Sequence, residues 1–352
     1  MAFRVTALVV AALTALVAGP ASAKEAPPEV VRIFGQGAGY GKPHGHSVIA
    51  VLKEKKLLEE EFAGENVRFE WTFPQGTGPA INEAIANGQA DFANYGGLPN
   101  IVGRASGLPT KIVASYGVTN SYLVTGKNVP ADSIEDLKGK KIGVAFGTVN
   151  HLSFRRYLEK RGLSERDFKV FNLKAADQSS ALTSGDIDAA FGSPNLIELA
   201  LSGIGKITYS SRGEIGPANQ FGAFTVTEGF AAKYPETTQR IVASFVKAAA
   251  WASDEKNRKE LIDIWELNGT PRASLELDSE SQDPRSRFSP LLDEFTLAKY
   301  ETGSAFAIES KFIRQPVDLK TWIDPSFLNK AVKDLGLEGF WKTRRADGTP
   351  LS

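Results

Sequence analysis

Six turns in this sequence, five of them containing glycine, combine neutral donors with the start of a helical pattern, at residues 35–46, 75–79, 95–100, 147–151, 175–178 and 192–195. They carry Gln36, Tyr40, Thr77, Asn100, Thr148, Asn150, Ser193 and Asn195. Lys42 and Lys174 are the only lysines or arginines in or beside them. A strand that ends in Gly147-Thr148 just before a helix presents several free backbone N–H groups at one point, which suits an oxyanion. Neutral donors with several helix N-termini suit a small monoanion held by dipoles rather than by ion pairs. His44 and His46 lack a third ligand nearby in sequence, so they read as helix start or pocket lining, and no metal or cofactor is expected. His151 has two readings, ligand contact or a structural role at the helix start. Phe34, Tyr40, Phe73, Tyr95, Phe146, Phe191 and Phe221 either surround an apolar ligand tail or belong to the core. The chain has no cysteine, and no nucleophile–base constellation stands out.

The elements that must position these turns follow from periodicity. Residues 30–34, 67–73, 91–95 and 110–116 read as strands. Helices over 47–58, 80–87 and 99–106 lie between them. A second set reads the same way, with strands at 121–125, 141–146, 169–173 and 187–191. Its helices begin near His151 and run through Leu182 and Leu201. The segments AIANGQADFANYGGLPN (84–100) and ALTSGDIDAAFGSPN (181–195) match once two gaps are allowed. Each has an Asp, Asp91 or Asp188, three residues after a helix-ending Gly, and these Asp residues read as structural. Two α/β lobes of similar plan are expected. The crossings fall near Gly117-Val118-Thr119 and Gln220-Phe221-Gly222, giving lobe 1 as 24–117 plus 223–352 and lobe 2 as 118–222. Ligands of open α/β sheets bind beyond the carboxyl ends of the strands. All six turns, and Gln220 at the second crossing, should therefore face one cleft. Beyond the second crossing, a strand at 221–227 precedes helices at 236–253 and 258–267. Residues 271–287 are polar and aperiodic and read as a surface loop. Residues 290–312 and 326–335 read as helical, with the tail packed on lobe 1.

The first residues suggest export. Arg4 is the only charge before Lys24, an apolar run spans Val5–Val17, and Ala21-Ser22-Ala23 offers a small-x-small cleavage site. A soluble periplasmic protein starting near Lys24 is expected. Without Arg4, 41 − 1 = 40 basic residues face 41 acidic ones, a net charge of −1. That balance argues against a nucleic-acid partner.

The stretch DLKGKKIGVAFGTVNHLSFRRYLEKRGL (136–163) resembles a segment of the periplasmic solute-binding proteins of ABC importers, in the aliphatic sulfonate, taurine and nitrate branch. NGQADFANYGGLPN (87–100) and VDLKTWIDPSFLNKAVKDLGLEGFW (317–341) are similar to the same branch. The resemblance implies a two-lobe type II periplasmic binding protein fold, each lobe a mixed sheet flanked by helices. It implies capture of a small organic anion by a monomer that delivers it to a membrane permease and its ATPase. By position it implicates Gly76-Thr77-Gly78, Tyr95-Gly96-Gly97, Gly147-Thr148 with His151, and Ser193-Pro194-Asn195. With Gln36, Tyr40, His44, Asn150 and Gln220 these complete the candidate ligand-binding set. Phe191-Gly192-Ser193-Pro194 departs from the Trp-x-Pro type of many sulfonate binders and suggests a roomier pocket. The alternatives are nitrate, a sulfate ester or a thiamine pyrimidine precursor as ligand, or an exported enzyme of the same fold.

Overall fold

The computed structural model describes residues 25–37, 42–74 and 77–351. The leader at 1–23, Tyr40 and Gly76 lie outside the described residues. In the first sheet, β1 (Val30–Gly35) lies between β2 (Arg68–Thr72) and β3 (Phe92–Gly96), all parallel. Strand β10 (Gln220–Thr227) runs antiparallel between β3 and β4 (Thr110–Thr119). The second sheet repeats this order. Strand β6 (Lys141–Val144) lies between β7 (Lys169–Asn172) and β8 (Ala189–Gly192), all parallel. Strand β5 (Tyr122–Gly126) runs antiparallel between β8 and β9 (Gly205–Ser210). In both sheets the antiparallel strand is the one delivered by a chain crossing, which leaves the first sheet after Thr119 and returns at Gln220.

Helices α1 (Ser47–Glu54), α2 (Leu57–Glu61), α3 (Thr77–Ala86) and α4 (Gly97–Ala105) accompany the first sheet. Helices α5 (Val149–Glu159), α6 (Ala175–Ser184) and α7 (Ile197–Leu201) accompany the second. After β10 come α8 (Glu228–Lys233), α9 (Pro235–Ala252), α10 (Arg258–Glu266), α11 (Arg272–Ser279), α12 (Pro284–Arg287), α13 (Glu294–Glu309), α14 (Leu319–Trp322) and α15 (Ser326–Asp334).

The repeated Gly-x-x-Asp element does the same work twice. Gly88 (φ 67°) and Gly185 (φ 80°) take the left-handed conformation that ends the preceding helix. Asp91 N–H donates to the Arg32 carbonyl at 2.9 Å, and Asp91 Oδ2 accepts from Arg32 N–H at 2.8 Å. Asp188 repeats both bonds with Lys141, at 2.9 and 2.8 Å. Asp91 thus fastens the start of β3 to β1, and Asp188 the start of β8 to β6. These are structural roles, as the spacing suggests.

Helix α9 places Ile241, Val242, Phe245, Val246 and Ala249 against Val48, Val51, Leu52 and Phe224 in the first core. Each such fully buried large side chain contributes roughly 1.5–3 kcal/mol. Leu123, Ile142, Val144, Phe154, Leu158 and Phe191 form the second core. A third cluster joins the two sheets: Val149 and Leu152 of α5 pack with Leu98 and Ile101 of α4, Phe221 of β10, and Tyr300 and Phe306 of α13. The tail packs on the first sheet's side, where Leu328 and Ala331 enter that core and Gln239 Nε2 donates to the Phe327 carbonyl at 3.0 Å.

Three expectations need correction. Residues 271–287 are not a surface loop: they form α11 and α12 and bury Leu275, Asp278, Gln282 and Arg287. Their polar side chains pair with one another inside the protein, so polarity concealed burial. The helix expected over 47–58 breaks at Lys56, whose φ of 52° starts α2 afresh. Strand β6 stops at Val144, and Phe146 stands 37% exposed in the turn beyond it.

Candidate functional site

A cavity of about 150 Å³ lies between the carboxyl ends of the two sheets. The first sheet contributes Gln36 after β1, Asn94 in β3, Tyr116 and Thr119 in β4, and Gln220 at the start of β10. The second contributes Asn150, Ala175 and Ser193-Pro194-Asn195. His46 and Ser47 at the start of α1, and Thr270 and Leu275 beside and within α11, close the remaining side. No carboxylate, lysine or arginine is among these lining residues.

Three helices reach the cavity with their N-terminal residues. Helix α1 presents His46 and Ser47, α5 presents Asn150, and α6 presents Ala175. The N-caps of α1 and α6, His46 and Lys174, make no side-chain cap hydrogen bond, so first-turn N–H groups stay available there. Ser47 holds a φ of 60°, a conformation that non-glycine residues rarely adopt and that recurs at ligand sites. Helix N-termini carry partial positive charge, so together these ends favour an anionic group.

The polar side chains are partly pre-oriented. Ser193 Oγ donates to Asn150 Oδ1 at 3.1 Å, so that oxygen is occupied while the amide N–H₂ is not engaged by Ser193. Gln220 Nε2 donates to the Asn120 carbonyl at 3.3 Å and to Ser193 Oγ at 3.2 Å. Asn94, only 3% exposed, has an Nδ2 with no hydrogen-bond partner among the described residues. An orphaned buried donor in a cavity wall is costly unless a ligand or water accepts from it. His46 stacks on Trp265 with ring centroids 4.2 Å apart. Burial first, and then the positive charge of Arg287, lower its pKa to about 4, so it faces the cavity as a neutral imidazole. Tyr116 is held up well above the usual phenol range by burial and stays protonated.

Of the residues singled out from sequence, Gln36, His46, Asn150, Ser193, Pro194, Asn195 and Gln220 line the cavity, and His46 is also the N-cap of α1. Others turn to local work. Thr148 Oγ1 caps α5 by accepting from Asn150 N–H at 3.2 Å and donates to the Ala145 carbonyl at 2.7 Å. His151 is buried, with Nε2 2.7 Å from Glu165 Oε1 and its ring stacked on Phe146 at 4.3 Å. His44 Nδ1 lies 3.3 Å from Glu54 Oε1. Tyr95 is a core ring whose hydroxyl donates to Asn82 Oδ1 at 3.0 Å. Asn100 Nδ2 donates to the Tyr95 and Gly96 carbonyls at 3.0 and 2.8 Å. Gly78 and Gly97 are packing positions, since a Cβ there would meet Pro99 at 2.3 Å or the Phe221 ring at 2.1 Å. Gly96 sits against Val149, and Gly147 takes a φ of 69° in the turn before α5. Tyr40 and Gly76, and the side chain of Thr77, fall outside the described residues. None of the other aromatics proposed for an apolar tail lines the cavity; Tyr116 does. Among the described residues no group of three or more His, Cys, Asp or Glu could hold a metal ion.

A family model described as NMT1/THI5 like matches residues 62–258. A putative aliphatic sulfonates-binding protein of Bacillus subtilis (strain 168) is 25% identical over 292 residues, covering 82% of this chain and 86% of that protein. The crystal structure of a putative sulfonate ABC transporter's periplasmic sulfonate-binding protein from Methylobacillus flagellatus KT superposes with a TM-score of 0.81 at 31% identity. It covers 91% of this chain and 98% of that one. A more partial relative is an enzyme, the 2'-hydroxybiphenyl-2-sulfinate desulfinase of Rhodococcus erythropolis, 28% identical over 160 residues, 45% of this chain and 42% of that protein. With more than half its length matched and the same two-sheet architecture, this chain belongs to the NMT1/THI5-like family and has the fold of its solute-binding proteins.

Proposed function

We propose that this protein is the extracytoplasmic solute-binding component of an ABC importer and that it captures a small organic anion, an aliphatic sulfonate first among candidates. The observation that carries the reading is the inter-sheet cavity, lined by neutral donors and three helix N-termini and by no carboxylate. Such a lining accepts a sulfonate's three oxygens and would leave an added ammonium without a counter-ion, which favours alkanesulfonates over taurine. The relatives named for sulfonates support the ligand class. The lobes are taken as 24–117 plus 223–352 and 118–222, moving about the crossings on ligand binding. Delivery to a permease and its ATPase, a periplasmic location after cleavage near Ala23, and a monomeric state belong to the same reading. Among the described residues no helix is long and apolar enough to cross a membrane. The chain has no cysteine, and among the described residues neither Ser47 nor Ser193 is hydrogen-bonded to His46, which favours binding without turnover.

Calorimetry of the mature chain with alkanesulfonates, taurine, nitrate, a sulfate ester and small carboxylates tests this. One-site binding of an alkanesulfonate without product formation is expected. Absence of binding across the whole panel overturns the anion reading, and desulfonation of a bound ligand overturns the non-enzymatic one.

A further inference from the structure

Two cations lie buried beside the cavity wall with no carboxylate paired to either among the described residues. Lys299 of α13 is 4% exposed. Its Nζ donates to the carbonyls of Gly216, Pro217 and Asn219 at 2.8, 2.9 and 2.7 Å. Three acceptors call for three N–H bonds, which only the charged ammonium has. Arg156 of α5 is 7% exposed. Its Nη2 donates to the Lys299 carbonyl at 2.9 Å and to the Thr302 hydroxyl, while Nη1 has no partner. The two charges flank the ring of Phe221, Arg156 at 5.4 Å and Lys299 at 5.8 Å from its centroid. Burial, then Arg156 and Arg344, push the Lys299 pKa well down; burial lowers that of Arg156 to about 10 against a smaller opposing pull from Glu159, an exposed carboxylate whose ion pair is with Arg155. Arg344 is itself paired with Asp293 at 2.8 Å, so it leaves no net charge.

An uncompensated buried charge is costly. Both cations sit where an anion in the cavity would compensate them. The Asn219 carbonyl that Lys299 holds is one peptide before Gln220, a lining residue. Arg156 is six residues along α5 from Asn150, another lining residue, a rise of about 9 Å. Both side chains are buried, so water screens their field less than it would at the surface.

We propose that Lys299, with Arg156 beside it, is the counter-charge of the bound anion and acts on it through the field rather than by contact. This rests on the anion reading above. It makes the pocket selective for charge as well as shape, so a neutral isostere that fills the same space binds far more weakly. Lys299 and Arg156 are positioning and specificity residues here, since neither lines the cavity.

The test is calorimetry of the mature chain with hexanesulfonate and with hexanesulfonamide, its uncharged near-isostere. The variants are Lys299→Gln, which keeps two N–H donors for the linker carbonyls, and Arg156→Gln, which removes a group that makes no hydrogen bond to residues 216–219. Lys299→Gln is expected to weaken hexanesulfonate about tenfold or more while leaving hexanesulfonamide within about twofold, and Arg156→Gln to weaken hexanesulfonate by about threefold or more. Equal losses for both ligands, or a loss in Lys299→Gln with none in Arg156→Gln, would mean that Lys299 only shapes the linker, and would overturn the proposal. Unchanged hexanesulfonate affinity in both variants overturns it as well, while leaving the anion reading standing. Wild-type protein that binds no member of the panel overturns the anion reading itself. Should Lys299→Gln fail to fold, Arg156→Gln decides the question alone.

Discussion

The chain crossings between the two sheets are braced by two buried charged clusters of opposite design. In one, Asp278 accepts from the Tyr122 hydroxyl at 2.6 Å, from Asn120 Nδ2 at 3.0 Å and from Arg287 Nη2. Asn120 Nδ2 also donates to Gln282 Oε1 at 2.8 Å, and Asn120 lies between β4 and β5 at the first crossing. That cluster closes on itself: one carboxylate, one guanidinium, and a full set of neutral donors. In the other, Lys299 fastens the linker before β10 to α13 and Arg156 fastens α5 to α13, with no ion pair to either among the described residues; the nearby Glu159 pairs with Arg155 instead. Both fix the geometry of a crossing. Only the second leaves potential over for a ligand, and it does so beside a cavity whose own lining is neutral.

Removing one partner of the closed cluster should give the largest effect. Asp278→Ala strands the Arg287 charge in the interior, and a loss of about 3–5 kcal/mol in unfolding free energy is expected by chemical denaturation. Lys299→Met is expected to change stability by no more than about 1 kcal/mol, because relief of a desolvated charge offsets the lost hydrogen bonds. Comparable losses in the two variants would erase the contrast, since they would mean that Lys299 is as fully compensated as Asp278.

Acid should reach the closed cluster through His46. This imidazole lies against Trp265 and feels Arg287 and Asp278, and its folded pKa of about 4 stands below the unfolded value of 6.5. Between those values the unfolded chain binds the extra proton. The stability that His46 contributes is therefore present above pH 6.5 and is lost as pH falls through 4. With allowance for the part of the ring that faces the cavity, the loss is about 2 kcal/mol. Between pH 7 and 4 wild type should lose about 2 kcal/mol more than His46→Phe in denaturation profiles; parallel profiles would show that His46 titrates as it does in the unfolded chain.

Much of the fold was legible because its turns obey local rules. The paired Gly-x-x-Asp elements, the turns before the helices and the two crossings all follow from residue types at short spacing. The cavity was legible only where it is built from those turns, at Gln36, His46, Asn150, Ser193, Pro194 and Asn195, and from the second crossing, at Gln220. Asn94, Tyr116 and Thr119 sit within strands, where alternation says which face a residue takes but not that a ligand space lies over it. Thr270 and Leu275 were hidden by the polarity of residues 271–287, whose charges find partners far away in sequence, such as Tyr122 and Asn120. Thr148, the clearest donor in its turn, is occupied by its own helix. Its replacement by alanine should cost about 1 kcal/mol of stability as a lost N-cap. A fall in ligand affinity beyond the effect of that fraying would return Thr148 to the site.

The smallest expected effects come from the twin carboxylates, and they ask how alike the two sheets are. Asp91 and Asp188 make the same pair of bonds, to β1 and to β6 respectively, at the same distances within 0.1 Å. Yet Arg32 also lies 3.6 Å from Asp91 through its guanidinium, whereas Lys141 meets Asp188 through the backbone alone among the described contacts. Burial raises the Asp91 pKa despite that neighbour, so the added cation does not fully offset the loss of solvent around the carboxylate. The extra ion pair should then be worth little, and Asp91→Ala and Asp188→Ala should each cost about 1 kcal/mol. The two sites lie in separate sheets, so the double variant should lose the sum of the two. A double variant that loses clearly more than the sum would show that the two latches are energetically coupled through the Val149–Leu98 seam, with each supporting the other's lobe.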